Sequence, residues 1–377
     1  GIGAVRLFER AENVWQQTVE WDLGGSGFGF SLALSMDESG DPWIAVGQEY
    51  YNTLFGRTAA KMTTYEFAGA ASAPSRSVSG DSSQADDFAS AVAISAGGAV
   101  HTAIAGAPRR VQTTDAVPSV SVLFVGSGYA NDDIGAIVTF SGGGGEGAQG
   151  EIASVSSGGE INSIRITEGG SGYTSNPSVV IPQAVGGGIP ATGRSSRSGE
   201  VGSITFLDLD GAGTQSLTPD GFGPSSRFGY AVAIHGDLAA ASSASGVVSL
   251  LERDSESATW SVSQTVTAPE GAGGFGAAVA LSDDLLLVGA PGSDGLDDTD
   301  VGSAFLYALA DVSEPLLELG AETPIAREQL GGAVAIGEDF IALSAPGSNP
   351  GFGGNGTVAG RVLTFSRETG EELDEFS

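Results

Sequence analysis

The stretch GGFGAAVALSDDLLLVGAPGSDG, residues 273–295, decides the fold. Val279 and Leu281 alternate with small residues, two aspartates follow, residues 285–288 run continuously apolar, and Gly-Ala-Pro closes the phrase. Alternation marks a strand with two unlike faces, acids at the tip mark a turn, and proline ends a strand by removing a ladder donor. The phrase recurs. SRFGYAVAIHGDLAAASSAS (226–245) and QLGGAVAIGEDFIALSAPG (329–347) keep its order, and FGFSLAL at Phe28 and FASAVAI at Phe88 open two further copies. The anchors Phe28, Phe88, Phe228, Phe275 and Leu330 lie 60, 140, 47 and 55 residues apart. A period near 50 with one oversized interval marks a repeat array carrying an insertion.

Each copy continues alike. A variable loop leads to a third strand that begins at glycine: GRTAAKMTTYEF from Gly56, GSITFLDL from Gly202, GVVSLLER from Gly246, GSAFLYAL from Gly302 and GRVLTFSR from Gly360. WSVSQTV (260–266) reads as a fourth strand. Four short antiparallel strands per unit, repeated around an axis, make propeller blades. Small residues let the innermost strand approach a crowded centre, and the glycines permit positive φ and close backbone contact.

The combination FGAAVALSDDLLLVGAPG followed by VGSAFLYAL resembles the FG-GAP repeat, named for Phe-Gly and Gly-Ala-Pro, which builds the β-propeller of integrin α chains and of many bacterial and algal extracellular proteins. The resemblance covers residues 1–110 and 201–377 and is closest in the fourth copy. It implies an all-β fold: a β-propeller of five complete four-stranded units plus an N-terminal outer hairpin.

That hairpin, GAVRLFERAENVWQQTVEW (3–21), matches third and fourth strands without a first and second before it. Val5, Leu7, Phe8, Trp15, Val19 and Trp21 are its apolar positions and the candidate assembly residues. Such a hairpin is marginal alone and needs a buried face. Three accounts stand open: it pairs with the fifth unit and closes the ring, it docks on a neighbouring chain, or sequence is missing at one end.

Residues 111–200 differ in texture. Gly-Ser-Gly-Tyr occurs at 126–129 and again at 170–173, each time before a β run and a glycine-rich loop. This resembles the Gly-Ser-Gly-Tyr β repeats of phage and bacterial surface proteins and implies a small β module inserted between the second and third strands of the second unit.

Composition narrows function. The 377 residues hold 60 glycines, no cysteine, and 46 acids against 15 bases, a formal charge of −31. Such a charge argues against nucleic acid or an anionic membrane surface as partner. No apolar run is long enough to cross a membrane as a helix, so membrane insertion is not expected, and the first residues show no signal-peptide pattern. Cysteine chemistry is excluded. His101 and His235 sit at repeat positions, no nucleophile elbow lies between a strand and a helix, and SGGGGEG lacks the lysine of a phosphate loop. The chain is therefore read as non-enzymatic.

Calcium is the one cofactor in view. Members of the resembling family place an Asp-rich loop between the first two strands of a blade, where carboxylates can surround the ion. Only MDESGDPW keeps such oxygens, at Asp37, Ser39 and Asp41. GSDGLDDTD supplies Asp294, Asp297, Asp298 and Asp300 between a second and a third strand. Asn355, in Asn-Gly-Thr, is the acceptor pattern for N-glycosylation. The expected function is an extracellular or cell-surface structural or interaction protein, a self-assembling fibril or surface-layer subunit linked by strand addition. The alternative is an adhesin or receptor-like propeller that binds a protein or glycan with calcium assisting.

Overall fold

A computed structural model describes residues 4–11, 14–21, 28–48, 51–52, 56–57, 60–68, 71–80, 86–96, 101–113, 116–196, 198–211, 213–219, 222, 225–295, 300–347 and 360–376. The chain divides into two compact units: residues 1–109, 202–219 and 227–377, and residues 110–201 with 220–226.

The first unit contains five four-stranded antiparallel sheets among its described residues, an arrangement that fits a β-propeller. The N-terminal hairpin pairs β1 (Val5–Ala11) with β2 (Val14–Trp21) as a two-stranded sheet. In blade 1, β3 (Phe28–Met36) pairs with β4 (Pro42–Gln48), and Lys61–Ala68 and Ala71–Ser79 complete the order. Blade 2 runs Val92–Ser95, Thr102–Ala107, Ser203–Asp208 and Thr214–Leu217, so its second and third strands pair across a long sequence gap. Blade 3 holds Val232–His235, Leu238–Ser242, Val247–Arg253 and Trp260–Thr267. Blade 4 holds Ala278–Leu281, Leu285–Ala290, Ser303–Ala308 and Leu317–Leu319. Blade 5 holds Val334–Ile336, Phe340–Ala345, Arg361–Ser366 and Glu372–Phe376.

The motif residues explain how one phrase makes a blade and joins it to the next. The residue after the anchor takes positive φ: 80° at Gly29, 87° at Gly229, 86° at Gly276 and 89° at Gly331, with Ala89 at 58° where glycine is absent. Its amide then donates to the second strand of the same blade, from Ala89 to Gly106 at 2.7 Å and from Gly276 to Gly289 at 3.0 Å. The phrase Phe-Gly is thereby tied to Gly-Ala. The same two positions also touch across blades, because a Cβ on Gly106 would lie 2.0 Å from the Gly229 carbonyl oxygen, and one on Gly289 equally close to that of Gly331. Only glycine permits backbones that near.

The core lies between successive sheets. Leu286, Val288, Phe305 and Tyr307 of blade 4 pack with Val248 and Leu250 of blade 3, while Leu285, Leu287 and Leu306 pack with Ile341, Leu343 and Phe365 of blade 5. Adjacent residues of one strand thus face opposite neighbours, which is why the second strand is apolar at every position. Between blades 2 and 3 the rings of Phe206 and Trp260 stack 4.3 Å apart. Gln215 fixes that contact, donating to the Trp260 carbonyl at 2.7 Å and accepting from its amide at 2.8 Å. In blade 5, buried Glu328 receives Arg361 Nε at 2.9 Å, and Glu375 takes a second guanidinium nitrogen at 3.0 Å.

The second unit is built on a six-stranded sheet with a core of Tyr129, Val138, Ile152 and Ile161. Its Gly-Ser-Gly-Tyr motifs work alike. Gly126 and Gly128 take positive φ and turn Tyr129 inward, where its hydroxyl donates to the Pro182 carbonyl and accepts from the Ala191 amide, each at 3.0 Å. Gly170 and Gly172 do the same for buried Tyr173, whose hydroxyl accepts from the Ala148 amide at 3.4 Å.

Candidate functional site

The hairpin β1–β2 sits on blade 1 as a third and fourth strand sit on the blade that follows them. Val5 is buried with Phe28, Ile44, Val46 and Tyr65, and Leu7 packs at the edge of that cluster. A Cβ on Gly29 would lie 3.6 Å from the Ala4 carbonyl oxygen, as one on Gly229 would meet Ser203 and one on Gly331 would meet Ser303. The hairpin therefore packs on blade 1 in the manner of a third and fourth strand. Phe8 is exposed, and Trp15, Val19 and Trp21 occupy positions on β2.

What lies inward of the hairpin sets blade 1 apart. In the register of β3 with β4, Leu32 stands opposite Val46 and Leu34 opposite Ile44, so all four share one face. Val5 and Leu7 cover the β4 part of that face, and the β3 part is open. Leu32 and Leu34 are 53% and 54% exposed, and Phe30 and Met36 beside them are also exposed. At the matching positions of blades 2 and 3, Val92, Ile94, Val232 and Ile234 are only 6 to 9% exposed. In blades 4 and 5, Val279, Leu281, Val334 and Ile336 pack on the preceding blade.

Blade 5 shows the reciprocal feature. Val362 is 39% exposed, whereas Met62, Ile204, Val248 and Ala304, which occupy its position in blades 1 to 4, are fully covered. Phe340, on the same face at the far end of the neighbouring strand, is exposed as well. The motif analysis missed them, since Leu32 and Leu34 fit the buried phrase; the only signal was the large apolar Met36 where other copies have Ala96, Gly236, Asp283 and Glu338.

A pocket of about 670 Å³ opens at the turn ends of the innermost strands, lined by Leu34, Met36, Ile94, Ile234, Asp237 and Asp283 among others. At its rim His235 Nε2 lies 2.7 Å from Asp283 Oδ1. The His101 ring packs on Trp43 at a tilt of 41°, centroids 5.1 Å apart, and its Nδ1 lies 3.1 Å from Asp210. Both histidines are engaged by neighbouring blades or loops.

The acids chosen as calcium ligands have internal tasks where they are described. Asp37 accepts from the amides of Asp41 at 2.8 Å and Ser39 at 2.9 Å, which closes the turn between β3 and β4. The Asp41 amide, with that of Ser39 and further small contributions, holds the Asp37 carboxyl below its ordinary value. Asp294 accepts from the Asp300 amide at 3.0 Å. Among the described residues no three acidic or histidine side chains converge as a metal-ligating group. Asp297, Asp298 and Asn355 lie outside the described residues.

A family model of the FG-GAP repeat matches residues 260–307, from the last strand of blade 3 through the third strand of blade 4. With the repeated four-stranded sheets, that match supports an FG-GAP family. A search of curated proteins finds no match to the chain. The solved structure of Saccharomyces cerevisiae Sqt1 is similar at 10% identity, over 99% of this chain and 79% of that one, with a TM-score of 0.41. Among the described residues no helix is long and apolar enough to cross a membrane.

Proposed function

We propose that the chain is a non-enzymatic extracellular structural or interaction module, a self-assembling subunit whose neighbours join it by strand addition at the N-terminal hairpin. The observation that carries this is the open β3 face beside a hairpin already seated as outer strands. FG-GAP repeats typify extracellular interaction proteins, which agrees with the acidic surface and with histidines engaged in structural contacts. In this reading the propeller is a rigid frame in a fibril or surface layer, and residues 111–200 form a separable module on one of its loops. The test is sedimentation of native extracellular material. Full-length chain is expected in high-mass assemblies, and chain lacking residues 1–22 as a folded, free protomer. Free full-length monomer would contradict the reading.

A second reading, an adhesin-like propeller with calcium at its acidic loops, draws on the 670 Å³ pocket, which combines apolar walls with an ionic rim. Retention of the monomer on a glycan or protein surface, lost on chelation, is its expected signature.

A further inference from the structure

We infer that the cleft between blades 2 and 3 is a binding site for a neutral saccharide ring. The site goes beyond both readings above, because it lies apart from the N-terminal hairpin and from the 670 Å³ pocket and needs neither assembly nor calcium.

The cleft encloses about 360 Å³, within the range of small-molecule sites. Strand parity decides what lines it. In the second strand of blade 2, Ala103 and Ala105 pack with Trp43 and Met62 of blade 1. Thr102 and Ile104 therefore face blade 3, with Asp208 and Phe206 opposite them on the third strand. From blade 3, Trp260 lays its ring on Phe206, and Arg253, which stands opposite Trp260 in the register, shares that face.

Two polar groups in this cleft are buried with their bonding capacity unused. Thr102 is 3% exposed, and its hydroxyl has no hydrogen-bond partner among the described residues. The Arg253 side chain is 12% exposed, and the Asp237 carboxylate paired with it lies 3.7 Å away, too far for a hydrogen bond. Buried donors normally find partners, and here both line one cavity. Asp208 supplies the complement. Its Oδ1 accepts from the amides of Asp210 at 3.0 Å and Gly211 at 2.9 Å, while Oδ2 has no partner among the described residues.

The charges select the class of molecule. An anion would meet Asp208 and Asp237 in a chain of net charge −31, and a cation would meet Arg253. A neutral occupant must present acceptors to Arg253 and Thr102, a donor to Asp208, and apolar surface to Phe206 and Trp260. Adjacent hydroxyls on a sugar ring do this, since each both donates and accepts and the ring carries C–H surface between them. The walls are held in advance: Gln215 bonds the Trp260 backbone on both sides, and Asp254 closes the turn before it by accepting from the Ser257 amide at 2.7 Å. A site ordered in advance loses less on binding.

The test is saturation-transfer NMR of the 377-residue chain with the methyl glycosides of glucose, galactose, mannose, fucose and N-acetylglucosamine. At least one is expected to bind in the millimolar range, equally with and without a chelator. Arg253→Met should weaken that binding by at least about tenfold and Thr102→Val by about fivefold, as the loss of a charged and of a neutral hydrogen bond does. Without sugar, Thr102→Val should leave Tm unchanged or raise it, because the hydroxyl makes no bond within the chain. Arg367→Met, which removes a cation paired with Asp284 elsewhere, should bind normally and controls for charge.

Four results overturn the proposal: no binding of any of these glycosides at millimolar concentration, equal binding by Arg253→Met and Thr102→Val, tighter binding of methyl glucuronide than of methyl glucoside, or a fall in the Tm of sugar-free Thr102→Val. Chelation separates the site from the adhesin-like reading. Glycan retention that is lost on chelation supports that reading and contradicts this one, and retention that survives chelation but is lost in Arg253→Met does the reverse.

Discussion

Leu34 and Ile234 hold the same place in two copies of one phrase, and the fold treats them differently. Ile234 is buried and Leu34 is half in water. Both residues nevertheless pair in register with the second strand of their own blade, Ile234 with Ala239 and Leu34 with Ile44. The difference teaches that a propeller sheet is completed by its neighbours rather than by its own hydrogen bonds. A blade can be fully laddered and still expose half a core.

The largest expected effect lies at the other open face. In blade 5 the third strand is anchored by the buried pair of Glu328 and Arg361. Removing one partner strands a buried charge, so Glu328→Ala should cost about 3–5 kcal/mol in urea unfolding. A loss under about 1 kcal/mol would show that the blade is held by packing alone.

The direct comparison comes next. Ile234→Ala should cost about 3 kcal/mol, as truncations of buried aliphatic side chains do. Leu34→Ala should cost less than about 1 kcal/mol, since that leucine is half exposed. Equal losses would break the comparison.

Gly229→Ala and Gly29→Ala sharpen it further. Both place a side chain at positive φ, a strain of roughly 1–2 kcal/mol. At Gly229 the new Cβ would also lie 2.5 Å from the Ser203 carbonyl oxygen, whereas at Gly29 the nearest carbonyl, that of Ala4, is 3.6 Å away. The Gly229 change should therefore be the more damaging in thermal unfolding, and the reverse order would mean that the hairpin is held more tightly than a third strand.

The smallest effect is acidic. The turn after β3 is closed by ionised Asp37, whose folded pKa is lowered from 3.8, chiefly by the Asp41 amide. Its contribution is present above the unfolded value and is lost as pH falls through the folded one. Asp37→Asn should flatten the fall in Tm below about pH 4. An unchanged acid limb would assign it to other carboxylates.

Much of the fold was legible because motif residues act locally. Positive φ at the anchor glycine, close approach at the Gly-Ala glycine and apolar second strands follow from geometry within one unit and its nearest neighbour. Four third strands begin at the residue after the expected glycine, at Ser203, Val247, Ser303 and Arg361, whereas that of blade 1 begins at Lys61 rather than at Gly56, which pairs with Asn52 in a separate two-stranded sheet. The candidate site was less legible. Leu32 and Leu34 belong to a phrase whose matching residues are buried or half-buried in the other copies, and exposure there depends on which neighbour packs on the strand rather than on the phrase itself. Gln215 holding the backbone of Trp260 was hidden too, because it joins different blades through a residue with no pattern of its own.

Because the chain has no cysteine, a single introduced thiol reports its own environment. The most direct measurement is the reaction rate of Leu34→Cys and Ile234→Cys with a soluble thiol reagent in dilute chain. The account predicts rapid labelling of Leu34→Cys and slow labelling of Ile234→Cys. Equal protection of both thiols in the dilute monomer would contradict it.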